Sequence, residues 1–171
     1  MGGRKIASWL RRYADQVPKE QAIVECGAWL GGGTQFLTRP AGDLHVYDRF
    51  IANDSEAKKA FAFGLVLIPG QNTLPYVKSR LPKSVKFHKG ELLKATYKGP
   101  PIGLFVDDAS KQPKVWANTM AVFEPHFVSG TILVLMDYDY PPCECQRDYS
   151  KKWELVEREI GHTCAAVFKV P

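Results

Sequence analysis

Apolar positions along this chain follow two rhythms, and the alternation between them outlines a fold. Ile6, Trp9, Leu10 and Tyr13 recur at helical spacing, and Pro18 stops that helix. Short apolar runs bounded by turn residues predict strands at Ala22–Glu25, Leu44–Asp48, Val85–His88, Ile102–Asp107 and Thr131–Met136. Helical stretches are predicted between them at Gly32–Thr38, Thr73–Leu81 and Lys114–Phe127. Residues 51–70 fit neither rhythm: Asp54-Ser55-Glu56 is a polar start for a short helix that would run into the apolar stretch Ala60–Gly70. At the end of the chain Trp153, Leu155 and Val156, a turn at Gly161-His162, and the run Ala165–Val170 predict an antiparallel pair closing the sheet. Strands that alternate with helices argue an α/β fold: a mostly parallel sheet with an antiparallel C-terminal strand and helices on both faces. Internal repeats, linkers and low-complexity tracts are absent from the sequence, so residues 1–171 read as a single domain.

Composition narrows the class without naming the chemistry. A hydrophobic fraction of 45% and a charged fraction of 24% are those of a globular chain. No apolar run reaches the length of a membrane span, so no membrane partner is expected. The net charge of +5 is spread over scattered lysines and arginines that are not interleaved with aromatics, which reads as a solvated basic face rather than a nucleic-acid platform. Cys26 and Cys164 lie in apolar runs, and Cys143-x-Cys145 is too tightly spaced for a zinc pair. A reduced, cytoplasmic setting is the simpler expectation.

The most specific segment is Ala22-Ile-Val-Glu25-Cys-Gly27-Ala-Trp29-Leu-Gly31-Gly32-Gly33-Thr34, a buried strand ending in a carboxylate and a glycine-rich turn that opens a helix. In open α/β sheets that geometry places a ligand at the carboxyl edge of the strands. A dinucleotide fingerprint requires Gly where Trp29 stands, and a P-loop requires a lysine that is missing between Gly27 and Gln35. The turn therefore offers no cation to a pyrophosphate, but its acid can meet an amino group. S-adenosylmethionine, an adenosine with a methionine tail and no phosphate, suits it. Asp48 closes the next strand 23 residues after Glu25, near the spacing of about 20 at which an acid accepts the ribose hydroxyls. Each acid taken alone also reads as a solvated strand-end residue.

The run Glu25-Cys-Gly-Ala-Trp-Leu-Gly-Gly-Gly-Thr34 resembles the first motif of the macrocin O-methyltransferase family, among the class I SAM-dependent methyltransferases. Val46–Phe50, Phe87–Leu92 and Ser129–Tyr138 are similar to later family motifs in the same order, so the resemblance covers roughly residues 20–140. It implies a Rossmann-like class I methyltransferase fold. It also implies cofactor contacts at Glu25, Gly27, Trp29, Gly31 and Thr34 in the turn, and at Asp48 and Arg49 after the second strand. Glu91 and Leu92 are implied for the adenine, and Asp107 as a further cofactor contact.

In the resembled family a divalent cation binds the acceptor hydroxyl, lowers its pKa and turns it toward the methyl group. Asp107 and Asp137 match the metal positions, so Mg²⁺ is the implied ion. The sequence departs from the family pattern, however: D-G-D is here Asp107-Asp108-Ala109, and D-D-Y is Met136-Asp137-Tyr138. A weakened cation site and plain solvated acids are both consistent with this, and Asp139 is a candidate to compensate. For the catalytic base Asp108, beside Asp107, is preferred over His88 and His126.

The reading that follows is methyl transfer to a hydroxyl of a small-molecule acceptor, of sugar or secondary-metabolite type. Residues 51–70, with Phe61, Phe63 and Leu65–Ile68, are the candidate cover for the acceptor, and a second copy of the chain could complete the pocket. Two other readings stay open: a degenerate SAM-fold binding module without catalysis, and an RNA-directed methyltransferase.

Overall fold

The computed structural model describes residues 3–39, 42–62, 64–161 and 164–171; Phe63 and His162 lie outside them. Seven strands form one sheet in the order β3-β2-β1-β4-β5-β7-β6. β1 (Ala22–Cys26), β2 (Asp43–Asp48), β3 (Lys86–Lys89), β4 (Ile102–Asp107) and β5 (Phe127–Met136) are parallel. β7 (Ala165–Lys169) runs antiparallel to β5 and carries β6 (Glu154–Glu159) antiparallel on its outer side. The chain winds outward from β1 in one direction to β3 and from β4 in the other, so the order reverses between β1 and β4. That switch point opens a crevice at the carboxyl ends of both strands.

The two faces of the sheet follow from side-chain alternation. Ile23, Val46, Leu104, Val106 and Val134 point to one side, where they meet Ile6, Leu10, Tyr13 and Ala14 of α1 (Arg4–Gln16), Leu37 of α2 (Thr34–Leu37) and Val77 of α4 (Leu74–Ser79). Val24, Tyr47, Phe105, Leu133 and Leu135 point to the other, against Trp116, Met120 and Phe123 of α5 (Pro113–Phe123). The helices therefore lie on both faces, as the pattern of runs predicts.

Four local outcomes differ from the sequence expectation. The helix after the glycine turn is a single turn, and the helix expected to reach Phe127 ends at Phe123, where a 3₁₀ turn (Glu124–His126) brings Pro125 and delivers the chain early into β5. The segment 51–70 splits. α3 (Asp54–Ala62) is capped reciprocally, Asn53 Oδ1 accepting the Glu56 N–H at 2.9 Å and Glu56 Oε2 accepting the Asn53 N–H at 2.8 Å. Beyond it Val66 and Ile68 are exposed in a loop rather than helical. Finally, α6 (Glu144–Ser150) carries no apolar stripe that would announce it; its buried residues are Gln146 and Ser150. No helix among the described residues is long and apolar enough to cross a membrane.

Candidate functional site

The crevice at the β1/β4 switch point holds a cavity of about 800 Å³, within the size range of small-molecule sites. Its floor is the glycine turn after β1. Gly27 takes φ 91° and Trp29 φ 49°, both left-handed, so the chain reverses sharply over Gly27–Trp29. A Cβ on Gly27 would stand 3.0 Å from both the Ala109 Cβ and the Asp108 carbonyl carbon, so the turns after β1 and β4 touch only because this residue is glycine. Gly31, also left-handed at φ 76°, faces away from the cavity, where a Cβ would meet Val77 at 3.2 Å.

The carboxylate of Asp48 ties that turn down. Its Oδ2 accepts the backbone N–H groups of Ala28 at 2.8 Å and Trp29 at 3.0 Å, and its Oδ1 accepts the Phe50 N–H at 2.6 Å. Of a carboxylate's four or so acceptor positions, three are thus used, which leaves one for a ligand hydroxyl where the sequence expectation had two. Glu25 sits below, 3% exposed, and Thr34 Oγ1 donates to its Oε2 at 2.6 Å. Burial raises the Glu25 pKa, the Thr34 bond pulls it back, and the charges of Asp108 and Asp48 push it up again, to about 8.

The other wall is built by the ends of β4 and β5. Alternation along β4 sends Val106 to the α1 face and Asp107 to the α5 face, so Asp107 is fully buried away from the cavity. Its Oδ1 accepts the N–H groups of Ala109 at 3.2 Å and Ser110 at 3.0 Å, and its Oδ2 accepts Gln146 Nε2 at 2.6 Å. Asp108, Lys111, Met136 and Asp137 do line the cavity. The Lys111 ammonium lies 3.1 Å from Asp108 Oδ1 and 3.2 Å from Asp137 Oδ2, and it donates to the Met136 carbonyl at 2.7 Å. Burial pulls the Lys111 pKa down, but Asp108, Asp107 and Asp137 outweigh it and hold the pKa above its ordinary value.

These contacts bear on the implied Mg²⁺. A cation needs converging oxygens with free lone pairs. Asp107 and Asp137 are not brought together as such a pair, because Asp107 meets N–H donors on the far face and Asp137 meets an ammonium. Asp139 is ion-paired with Arg158 of β6 instead of compensating. Among the described residues no group of three or more His, Cys, Asp or Glu is placed to hold a metal ion. The residues present do not fit the ion.

Of the remaining expected residues, Trp29, Arg49, Glu91 and Leu92 line the cavity with Glu25, Gly27 and Asp48. Thr34 is buried behind Glu25 and orients it. The two histidines considered as bases stand elsewhere. His88 pairs with His45 across β2 and β3 at 3.0 Å and stacks on Tyr47, while His126 packs edge-on against Tyr97. Sequence reasoning missed the inner face of α1, where Ile6 and Leu10 reach the cavity, and the α3 pair Glu56 and Lys59. It also missed Lys111 and Gln146. The D-D-x-x-K spacing after β4 is a signal for the first, and nothing in the α6 pattern announces the second.

No family model and no curated protein matches the sequence. Solved structures do match. The O-methyltransferase NovP superposes with a TM-score of 0.68 at 18% identity, over 98% of this chain and 80% of that one. CalS11, a TDP-rhamnose 3'-O-methyltransferase of calicheamicin biosynthesis, gives 0.65 at 14% identity, over 95% and 77%. The N-methyltransferase NodS from Bradyrhizobium japonicum, in complex with S-adenosyl-L-homocysteine, gives 0.61 at 16% identity, over 98% and 87%. The chain thus has the Rossmann-like fold that these methyltransferases share.

Proposed function

We propose that this chain binds S-adenosylmethionine in the β1/β4 cavity and transfers its methyl group to a hydroxyl of a small molecule of the sugar or secondary-metabolite type. The observation that carries this reading is the capture of the Ala28 and Trp29 N–H groups by Asp48. In a phosphate-binding turn such N–H groups point at the ligand. Here a carboxylate already occupies them, so the turn repels a pyrophosphate and favours a ligand with cationic character. A sulfonium with an α-amino group is one.

In this reading Glu25 receives the amino group, the remaining acceptor position of Asp48 takes a ribose hydroxyl, and Glu91 with Leu92 meets the adenine; all four line the cavity. When bound, the sulfonium supplies an electrophilic methyl, which passes to the acceptor oxygen while the C–S electron pair stays on sulfur and the hydroxyl proton leaves. Asp108, on the cavity wall, is the proton acceptor in this reading. Ile6, Leu10 and Phe36 give the cavity an apolar side that excludes water from the reacting centre. Asp107 acts through the turn it holds. NovP and CalS11 support a hydroxyl acceptor by their names, and NodS, an N-methyltransferase, marks the acceptor atom as the point to test.

Calorimetric titration of S-adenosylhomocysteine into the wild type and a Glu25→Ala, Asp48→Ala variant tests the cofactor. Micromolar binding lost in the variant is expected; no binding by the wild type overturns the reading. One observation favours a second reading, a binding module without catalysis: the place of the cation is filled by Lys111. Turnover in a hydroxyl-acceptor screen separates the two.

A further inference from the structure

The turns after β4 and β5 face each other because those strands are parallel neighbours, with Asp107 opposite Leu135 in register. Asp108 and Lys111 come from the first turn, and Met136 and Asp137 from the second. Asp137 takes a left-handed φ of 58°, a backbone state that few non-glycine residues adopt. Between the turns stands the Lys111 ammonium. An ammonium has three donors and no acceptor, and here three oxygens from two turns surround it: Asp108 Oδ1, Asp137 Oδ2 and the Met136 carbonyl. Two carboxylates and a carbonyl are the hard oxygen set that a divalent ion also uses. With its side chain only 19% exposed, Lys111 fills that position from inside the protein.

We propose that Lys111 is a resident cation built into the chain, standing where a divalent ion would otherwise bridge the β4 and β5 turns, and that the protein works without a metal. The last clause rests on the methyl-transfer reading; the first does not. The lysine is a positioning residue: it holds Asp108 and Asp137 side by side at the cavity wall, two like charges that would repel each other with no cation between them. The sequence carries the matching change. Where the resembled pattern has an acid, Met136 contributes only its carbonyl, so two carboxylates, those of Asp108 and Asp137, meet the ammonium directly.

The consequence is specific. Truncating the lysine leaves the three oxygens converging on a space with no cation in it, and a hard divalent ion can enter. The experiment compares wild type, Lys111→Ala and Lys111→Met, with Asp137→Ala added to the alanine variant. Mn²⁺ binding is read from the free-ion electron paramagnetic resonance signal, and the melting temperature is followed with and without Mg²⁺. The wild type is expected to bind no Mn²⁺ below ~1 mM and to melt identically in chelator. The Lys111 variants are expected to bind at least about tenfold tighter, in the range of weak oxygen sites, and to regain melting temperature with Mg²⁺. Adding Asp137→Ala removes the gain. Lys111→Met, which keeps the packing of the stem, covers the case in which the alanine variant does not fold. Wild-type Mn²⁺ binding as tight as the variants', or no gain in either variant, overturns the proposal. S-adenosylhomocysteine calorimetry on the same wild-type sample judges the methyltransferase reading separately, since failure there leaves the Mn²⁺ comparison intact.

Discussion

The hydroxyl of Thr34 donates to Glu25 Oε2 at 2.6 Å, across the glycine turn and beneath the cavity floor. The bond opposes only part of the cost of burying that carboxyl, whose pKa stays raised at about 8. A group whose ionisation is easier in the unfolded chain, near 4.5, makes the folded state bind more protons between those values. Stability is therefore fully kept below about pH 4.5, falls as pH rises toward 8, and is level above it. Glu25→Gln keeps the size and an acceptor for Thr34 without the charge. It is expected to be more stable than the wild type, by a margin that grows from pH 5 to pH 8 and reaches on the order of 2–5 kcal/mol. Urea unfolding of both proteins across that pH range checks this, and a margin that does not change with pH counts against the assignment.

The same group makes cofactor binding a proton-linked event. At pH 7 Glu25 is largely protonated in the free protein; an ammonium placed beside it favours the charged form, so binding expels a proton. Affinity for S-adenosylhomocysteine is expected to rise with pH up to about 8 and then level. The apparent binding enthalpy at pH 7 should change with the ionisation enthalpy of the buffer. In Glu25→Gln that buffer dependence should vanish together with most of the affinity. Equal enthalpies in phosphate and Tris for the wild type would contradict the placement of the amino group.

Much of this site is legible in the sequence, and the illegible part has a physical reason. Glu25, Gly27 and Asp48 stand out because strand ends and turn glycines leave local signals, and all three line the cavity. Asp107 was equally conspicuous as a strand-end acid. Yet counting alternate positions back along β4 sets it on the face of Phe105 rather than Val106, a parity that is present in the sequence but decides nothing until the facing helix is known. That helix is α6, whose Gln146 meets Asp107, and a seven-residue helix that buries polar groups has no apolar periodicity to read. Lys111 was visible as a residue, but its role depends on a contact made across two turns 25 positions apart. The end of α3 is set locally, by left-handed Gly64 at φ 75° and the Leu65 N–H donating to the Ala60 carbonyl at 3.0 Å, a glycine stop that the sequence carries, whereas propensity alone does not fix the length of α2.

Asp48 is predicted to matter first as a structural clamp. Asp48→Ala leaves the N–H groups of Ala28, Trp29 and Phe50 without their acceptor. Lost charge-assisted bonds of this kind cost about 2–4 kcal/mol in all. Asp48→Asn keeps one carbonyl oxygen and should lose roughly half as much. Denaturant midpoints rank wild type above Asn above Ala, and cofactor affinity should follow the same order. An Asn variant that folds like wild type but binds nothing would shift the weight of Asp48 from the turn to the ligand.

Asp107 separates charge from geometry. Gln146 Oε1 is buried with no hydrogen-bond partner among the described residues, while its amide nitrogen donates to Asp107 Oδ2 and to the Ser110 carbonyl. In Asp107→Asn a flipped Gln146 amide can accept from the new side chain, so a buried charge is gone at the loss of the Gln146 Nε2 bond to the Ser110 carbonyl at 3.2 Å. Stability within about 1 kcal/mol of wild type is expected. Asp107→Ala has no such repair and is expected to lose about 2–4 kcal/mol through the lost Gln146 bond and the freed Ala109 and Ser110 N–H groups. Cofactor affinity in the Asn variant should stay within a few-fold of wild type, because Asp107 does not line the cavity. A large loss of affinity in a stable Asn variant would return Asp107 to the ligand-binding set.

Gly27 tests whether the approach of the two turns is required. It sits at φ 91°, and an added Cβ meets the Ala109 Cβ and the Asp108 carbonyl carbon at 3.0 Å. The contact is to backbone and a one-carbon side chain, so neither neighbour can swing aside as a long side chain would. Gly27→Ala must therefore strain its own dihedral and push the β4 turn outward, at a cost of about 1–3 kcal/mol. The displaced atoms belong to Asp108 and Ala109, so the change should also disturb the cavity wall opposite Glu25. Cofactor affinity is then expected to fall further than stability alone accounts for. Pairing Gly27→Ala with Ala109→Gly relieves only the 3.0 Å contact to the Ala109 side chain. It should recover part of the stability while the contact to the Asp108 backbone keeps affinity low. Full recovery of both by the second change would mean that the methyl group of Ala109, rather than the path of the β4 backbone, sets the width of the crevice.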